Sequence, residues 1–163
     1  MTQIFKGRSE NSHDDWATPE YFFKLLDDEF HFTLDPCASE RNHKCAKYYT
    51  EETNGLLQSW KGEVCFVNPP FNAKETWIRK SLSEVLNPNT TVVMIIPAFT
   101  DTKVWHECVM LADEIRFCIG RVNFIPPEIR EKKASSNFPL AIVVFRNPTK
   151  YKELRVSSFR HKD

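Results

Sequence analysis

Three short, almost wholly apolar runs constrain most strongly how this 163-residue chain can fold. They span residues 64–67, 91–96 and 140–145 and read VCFV, TVVMII and LAIVVF. A strand with one face in solvent alternates apolar and polar residues, whereas a strand covered on both faces is apolar throughout. The runs therefore predict central strands of a mostly parallel sheet with helices on both faces, which is an α/β fold.

Patterns typical of helices lie between these runs. Thr18 can cap a helix in which Pro19 takes the first position, and Asn72 with Glu75 matches a capping box. A third helix is predicted to begin at residue 100 or 101. The alternation of strands and helices supports the parallel sheet.

Further strands are predicted at residues 32–34, 44–49 and 115–119. The connection from 115–119 to 140–145 is a long polar loop, residues 120–139, with no helical pattern. These two strands are therefore expected to form an antiparallel pair at one edge of the sheet.

Three of the predicted strands end in segments that could build a pocket. Asp35-Pro36 follows the first strand, Asn68-Pro69-Pro70-Phe71 follows the run 64–67, and Pro97-Ala98 follows the run 91–96. In sheets of this kind, ligands bind at the carboxyl ends of the strands. These segments are thus the candidate site.

Length and charge bound the organisation of the chain. One domain is expected, residues 14–148, between a flexible N-terminus, 1–13, and a basic tail, 149–163, which is interpreted as a solvated, frayed terminus. The 22 Lys and Arg balance the 22 Asp and Glu, so no overall field attracts nucleic acid. The chain shows no membrane-length apolar run and no signal peptide, which predicts a cytoplasmic protein.

The segment from Asn68 to Phe71 is rigid and rich in acceptors. Proline has no N–H and holds the residue before it extended, so the carbonyl oxygens of Asn68 and Pro69 lack local partners. The Asn68 side chain adds an acceptor, and Phe71 adds a flat face. This arrangement suits an amino group on an aromatic ring, although a turn that only ends the strand is the alternative. A second pair, Pro126-Pro127, lacks the flanking amide and ring and is interpreted as an ordinary turn.

The segment matches the Asn/Asp-Pro-Pro-aromatic motif of amino-methyltransferases that use S-adenosylmethionine. Over about residues 14–146 the chain resembles the compact bacteriophage-type DNA N6-adenine methyltransferases. The elements that carry this resemblance are Trp16-Ala17-Thr18-Pro19, residues 32–38 (FTLDPCA), Gly55-Leu56, Trp60, Asn68-Pro69-Pro70-Phe71, Trp77, Pro97-Ala98 and Gly120-Arg121. The resemblance implies a class I methyltransferase (Rossmann-like) fold with a seven-stranded, mostly parallel sheet and one antiparallel strand.

The resemblance also implies methylation of N6 of an adenine that is flipped out of DNA. Asn68 and the Pro69 carbonyl would accept hydrogen bonds from N6, Pro70 completes the motif, and Phe71 would stack on the base. S-adenosylmethionine is the implied cofactor, and no metal is needed. The implied cofactor-binding residues are Trp16, Thr18, Pro19, Asp35, Pro36, Cys37, Ala38, Asn54 and Asn68.

Some of these assignments have structural alternatives. Asp35 is the expected partner of the cofactor's methionine ammonium, but it could also only cap a turn before Pro36. Trp16 could be a core anchor. Asn54 stands where related chains often have Asp, which puts its contact with the cofactor in question.

The loop 120–139 is the candidate DNA-contacting element, because no separate recognition domain fits in the chain. Its candidate phosphate-binding residues are Arg121, Arg130, Lys132 and Lys133. A plain surface loop is the alternative. So small a recognition surface predicts short or relaxed specificity, or a homodimer that combines two surfaces.

Other functions remain compatible with the sequence. Cytosine N4, an RNA base or a protein glutamine presents a similar amine to the same acceptors. A non-catalytic protein that binds nucleic acid or a partner, such as an anti-restriction factor, is a rival from another class. The intact Asn-Pro-Pro-Phe segment favours catalysis.

Overall fold

The computed structural model describes residues 16–126, 134–147 and 153–162. Its helices are α1 (Glu20–Phe30), α2 (Lys74–Glu84) and α3 (Lys103–Glu107). Its strands are β1 (Leu34–Asp35), β2 (Lys47–Tyr48), β3 (Val64–Val67), β4 (Thr91–Pro97), β5 (Glu114–Ile119), β6 (Asn123–Phe124), β7 (Ala134–Ser135), β8 (Leu140–Arg146) and β9 (Arg155–Arg160).

Seven of these strands form one sheet in the order β2-β1-β3-β4-β8-β5-β9. Strand β8 runs antiparallel to both of its neighbours, β4 and β5. The other neighbouring pairs of this sheet are parallel. The α/β fold with a seven-stranded, mostly parallel sheet and one reversed strand is therefore confirmed.

The edge of the sheet differs from the prediction. The expected antiparallel pair, β5 with β8, exists but lies inside the sheet, because β9 adds to β5 in parallel from Glu114↔Arg155 to Ile119↔Arg160. Part of the segment that was interpreted as a frayed tail is thus a strand. Its sequence, RVSSFR, is mostly polar and exposed, as an edge strand can be because one edge and much of its surface face solvent.

The predicted helix caps are wrong. The N-cap residues are Pro19 for α1 and Ala73 for α2, and among the described residues no side chain makes a capping hydrogen bond at either. A 3₁₀ turn, Phe71–Ala73, leads into α2 instead. Helix α3 begins later than expected, after Thr102.

Two apolar clusters cover the two faces of the sheet, as the continuous apolar runs predicted. In β3, Cys65 and Val67 belong to the cluster under α2 and α3, whereas Phe66 belongs to the cluster under α1. Three tryptophans, Trp60, Trp77 and Trp105, are buried in this packing. This packing fixes the strands whose carboxyl ends form the site.

Candidate active site

A cleft opens at the carboxyl ends of β1 and β3. These strands are parallel neighbours, with Leu34 opposite Cys65. Asp35 and Asn68 therefore both lie at the carboxyl ends of the strands, on the same side of the sheet. The lining residues are Trp16, Ala17, Thr18, Asp35, Cys37, Asn42, Lys44, Phe66 and Asn68. Five residues predicted to bind the cofactor, namely Trp16, Thr18, Asp35, Cys37 and Asn68, are thus brought together.

Asp35 is a buried acid that faces this cleft. Its side chain is 3% exposed, and burial raises the pKa of its carboxyl to about 6 although nearby amides oppose the rise. The backbone N–H groups of Lys44 and Cys37 donate to its two oxygens at 3.0 and 3.4 Å. Asp35 therefore shapes the local turn and also presents a carboxylate to the cleft, where a cationic ligand group would favour its charged form.

The loop after Asp35 is held from behind. Its residues Pro36 and Ala38 are buried, and the Ala38 N–H donates to the Tyr49 carbonyl at 3.0 Å. Gly55 touches the loop so closely that a Cβ there would lie 2.0 Å from the Pro36 carbonyl oxygen. Only glycine fits at this position without moving the loop.

Asn54 has a local structural role next to this glycine. Its φ of 50° is left-handed, a conformation that asparagine tolerates. Its side-chain oxygen accepts a hydrogen bond from the Leu56 N–H at 3.2 Å. Of the residues that the structure describes, Asn54 is not among those that line the cleft.

The segment before α1 forms another wall of the cleft. Ala17 makes a two-way backbone bridge to Ile125, at 2.8 and 2.9 Å. Thr18 is 2% exposed, and its Oγ1 accepts a hydrogen bond from Nδ2 of Asn68 at 3.0 Å. Pro19 is buried, and its carbonyl accepts the Phe22 and Phe23 N–H groups as α1 starts. Pro19 therefore helps to fix the start of α1.

Phe71 lies in a cluster of aromatic rings. It makes edge-to-face contacts with Phe138 and Phe124, at centroid distances of 4.8 and 6.4 Å, and Phe138 contacts Phe99 at 5.6 Å. Lys74 donates to the Phe71 carbonyl at 3.2 Å and lies over the Phe99 ring. Sequence reasoning found only Phe71, because the other rings come from the separate loops after β4 and before β8.

Asn42 and Lys44 also line the cleft, and sequence reasoning missed both. The sequence predicts Lys44 at the first position of a strand, far from the carboxyl ends of the strands. The preceding loop turns back, since the Ser39 N–H donates to Oδ1 of Asn42 at 2.7 Å. The Lys44 ammonium pairs with Glu20 at 2.9 Å. No pattern in the sequence marks this return.

Two described parts of the candidate DNA-contacting loop pair as a β-hairpin. Asn123 pairs with Ser135 and Phe124 pairs with Ala134 in antiparallel register. Arg121 is exposed, and its carbonyl accepts a hydrogen bond from Lys162 at 3.4 Å. The other predicted contacts, Arg130, Lys132 and Lys133, lie outside the described residues.

Neither a metal-ligand cluster nor a membrane-length helix occurs in the part of the chain that the structure describes. Within the described ranges, no three His, Cys, Asp or Glu side chains are grouped as a metal site would require. The helices in those same ranges fall short of the length and apolar character of a membrane span.

Comparison with known proteins places the chain in a family. The sequence profile of the family described as DNA N-6-adenine-methyltransferase (Dam) matches residues 7–163. The DNA N-6-adenine-methyltransferase of Haemophilus phage HP1 is 33% identical over 156 residues, which cover 93% of this chain and 90% of that protein. The enzyme of the same name from Escherichia phage T1 is 33% identical over 104 residues, which cover 63% of this chain and 43% of that protein. The chain belongs to the family of phage-type DNA N-6-adenine-methyltransferases.

Proposed function

We propose that the cleft binds S-adenosylmethionine and that the adjoining Asn68–Phe71 segment receives an adenine flipped out of DNA, whose N6 is then methylated. Membership in the family makes DNA adenine methylation the activity of this chain. One observation supports the detailed proposal most: Asp35 and Asn68, which end neighbouring parallel strands, line a single cleft.

The side chains of the cleft fit the amino-acid end of the cofactor. Asp35 offers a buried carboxylate to its ammonium group. Cys37 lines the wall directly, while the buried Pro36 and Ala38 keep its loop in place. When bound, S-adenosylmethionine would supply an electrophilic methyl group on its sulfonium sulfur.

Of the other proposed cofactor residues, Thr18 lines the cleft, whereas Pro19 and Asn54 support the segments that form it. Thr18 lines the cleft wall, and Pro19 fixes the chain that carries it. Asn54 supports the cofactor loop through its neighbour Gly55, rather than by a contact of its own.

The Asn68–Phe71 segment would prepare the amine. The Asn68 side-chain oxygen and the Pro69 carbonyl accept hydrogen bonds from N6, which draws the nitrogen lone pair out of conjugation with the ring. Phe71 stacks on the base, an interaction worth about 1–3 kcal/mol per base. The catalytic contribution of these residues is orientation and electrostatic stabilisation.

DNA is held outside the cleft by the loop 120–139. Phosphate contacts position a protein on DNA, and cationic side chains commonly make them. We therefore assign phosphate contacts to the basic residues of this loop, namely Arg121, Arg130, Lys132 and Lys133. The hairpin at the base of this loop adjoins the aromatic cluster around Phe71. A homodimer would double this small recognition surface, whereas a monomer would read a short or relaxed sequence.

The test is transfer of labelled methyl from S-adenosylmethionine to DNA with and without adenine. Asn68→Ala should lower kcat about 100-fold or more, as loss of a preorganised hydrogen-bonding group does. Asn147→Ala is the matched control and should keep wild-type activity. Asn147 follows Arg146, which pairs with Thr91 at the amino end of β4, whereas the cleft lies at the carboxyl ends of the parallel strands. Label in adenine-free DNA, or equal activity of Asn68→Ala, would contradict the proposal.

A further inference from the structure

The Asn68 side chain has two unlike ends, and only one of them suits the proposed reaction. Its oxygen accepts hydrogen bonds and its nitrogen donates them. An adenine N6 amine brings hydrogens, so the oxygen must face it. Asparagine needs a partner that holds the nitrogen end away from the base.

A hydroxyl can pair with either end of an amide, and in the structure the Thr18 hydroxyl takes the nitrogen end. Nδ2 of Asn68 donates to Oγ1 of Thr18 at 3.0 Å, across 50 residues of sequence. The threonine is 2% exposed, so water does not readily replace it. Since Nδ2 is engaged, Oδ1 stays available as an acceptor.

The backbone on both sides of Thr18 is fixed. Ala17 is bridged to Ile125 through two backbone hydrogen bonds, and the Pro19 carbonyl accepts the first N–H groups of α1. A threonine before a helix often caps it, but at α1 no described side chain makes a capping hydrogen bond. The hydroxyl is directed at Asn68 instead.

We propose that Thr18 is a positioning residue for methyl transfer, which holds the Asn68 amide with its oxygen towards the adenine amine. This inference rests on the proposed function. It gives Thr18 a role in the catalytic step, beyond lining the cofactor cleft. The hydroxyl acts through Asn68 and need not touch either substrate.

Three variants separate orientation from cofactor binding. Thr18→Val keeps the shape but removes the hydroxyl, and it should lower kcat about 10-fold while the Kd for S-adenosylmethionine changes less than about 2-fold, since a hydrogen bond of about 1.4 kcal/mol corresponds to a tenfold effect. Thr18→Ser keeps the hydroxyl and should retain kcat within about 3-fold. Thr18→Ala replaces the valine variant if that one does not fold.

Nuclear magnetic resonance of protein labelled with ¹⁵N-asparagine gives a readout besides activity. The Asn68 side-chain NH₂ should exchange with solvent more slowly in the wild type and in Thr18→Ser than in the variants without the hydroxyl. Unchanged kcat in Thr18→Val or Thr18→Ala would overturn the inference, as would a loss confined to cofactor affinity, a serine variant as slow as valine, or unchanged exchange. Wild-type protein that methylates no adenine would instead contradict the proposed function.

Discussion

At the scale of single residues, Asp35 combines burial with charge. Burial raises the pKa of its carboxyl from 3.8 to about 6. A carboxyl whose pKa is raised by folding stabilises the folded state fully below the ordinary value, and that contribution is lost as the pH rises through the folded value. Between pH 4 and 6 the titration of this group should therefore lower the free energy of unfolding by up to about 3 kcal/mol.

Asp35→Asn tests whether the burial of this carboxyl makes stability depend on pH, because an amide does not titrate. The free energy of unfolding of the variant should lack the decline that Asp35 gives the wild type between pH 4 and 6, so the two curves should converge or cross there. Denaturant unfolding at several pH values measures both curves. Asp101→Asn, a change at an exposed residue outside the cleft, is the control, and its curve should run parallel to the wild type. A parallel curve for Asp35→Asn would contradict the burial argument.

The same carboxyl should make cofactor binding depend on pH. Only the ionised form attracts an ammonium group, so the affinity of the wild type for S-adenosylmethionine should fall as the pH drops below about 6. Titration calorimetry at pH 5 and 7.5 measures the change. Asp35→Asn should bind at least about 10-fold more weakly at pH 7.5 and show little of this dependence, since a lost charged interaction is worth about 1.5–3 kcal/mol. If the wild type and Asp35→Asn bound S-adenosylmethionine equally well at pH 7.5, Asp35 would not contact the cofactor ammonium.

Sequence reasoning identified the residues of the site better than their partners. Asp35 and Asn68 were found because each directly follows an apolar strand, and parallel strands bring such positions to one edge. The role of Thr18 was not found, since its hydroxyl meets an amide 50 residues away. Local patterns describe neighbours along the chain, and they assigned Thr18 to a helix cap that does not form.

At the scale of elements, described residues from both ends of the loop between β5 and β8 pack near the Asn68–Phe71 segment. Ile125 is bridged to Ala17, which precedes the partner of Asn68. Phe124 and Phe138 contact the ring of Phe71. The element proposed to touch DNA is thus in direct contact with the residues proposed to hold the base.

Phe138→Ala should leave Phe71 without its nearest described ring partner. An edge-to-face pair is worth about 0.5–1.5 kcal/mol beyond its buried area, so kcat/KM for DNA should fall about 3- to 10-fold while cofactor affinity is unchanged. Steady-state kinetics with varied DNA measures this. Phe117→Ala is the matched control, because Phe117 lies on β5 and stacks on Trp105 in another part of the molecule. A loss in cofactor affinity alone would show that Phe138 serves the cleft instead.

The elements that sequence reasoning predicted are those with the strongest apolar signal. β3, β4 and β8 were located to within a residue or so at each end, since a strand buried on both faces is a continuous apolar run. β9 and the β6–β7 hairpin were missed because their sequences are short or polar. The pairing of β9 also depends on β5, a strand that is distant in the sequence.

At the scale of the whole molecule, charge balance restricts where DNA can bind. With 22 basic and 22 acidic side chains, the protein has no net field to attract a phosphate backbone. Affinity must then come from local concentrations of positive charge on the side of the site. The loop 120–139 is the proposed source, because Lys132 and Lys133 are adjacent in its sequence and its described residues Phe124 and Phe138 contact the ring of Phe71.

Lys132→Glu and Lys133→Glu, made singly, should each weaken DNA binding. Each phosphate contact contributes a slope of about −0.9 to the dependence of log K on log salt for duplex DNA, so loss of one contact should flatten the slope by about that amount. Lys61→Glu changes the net charge equally, but Lys61 is exposed before the amino end of β3, whereas the cleft lies beyond the carboxyl end of that strand. Fluorescence anisotropy from 50 to 200 mM salt compares the three variants with the wild type. If Lys61→Glu lowers affinity and slope as much as the loop variants do, binding follows total charge, and the loop has no special place in DNA recognition.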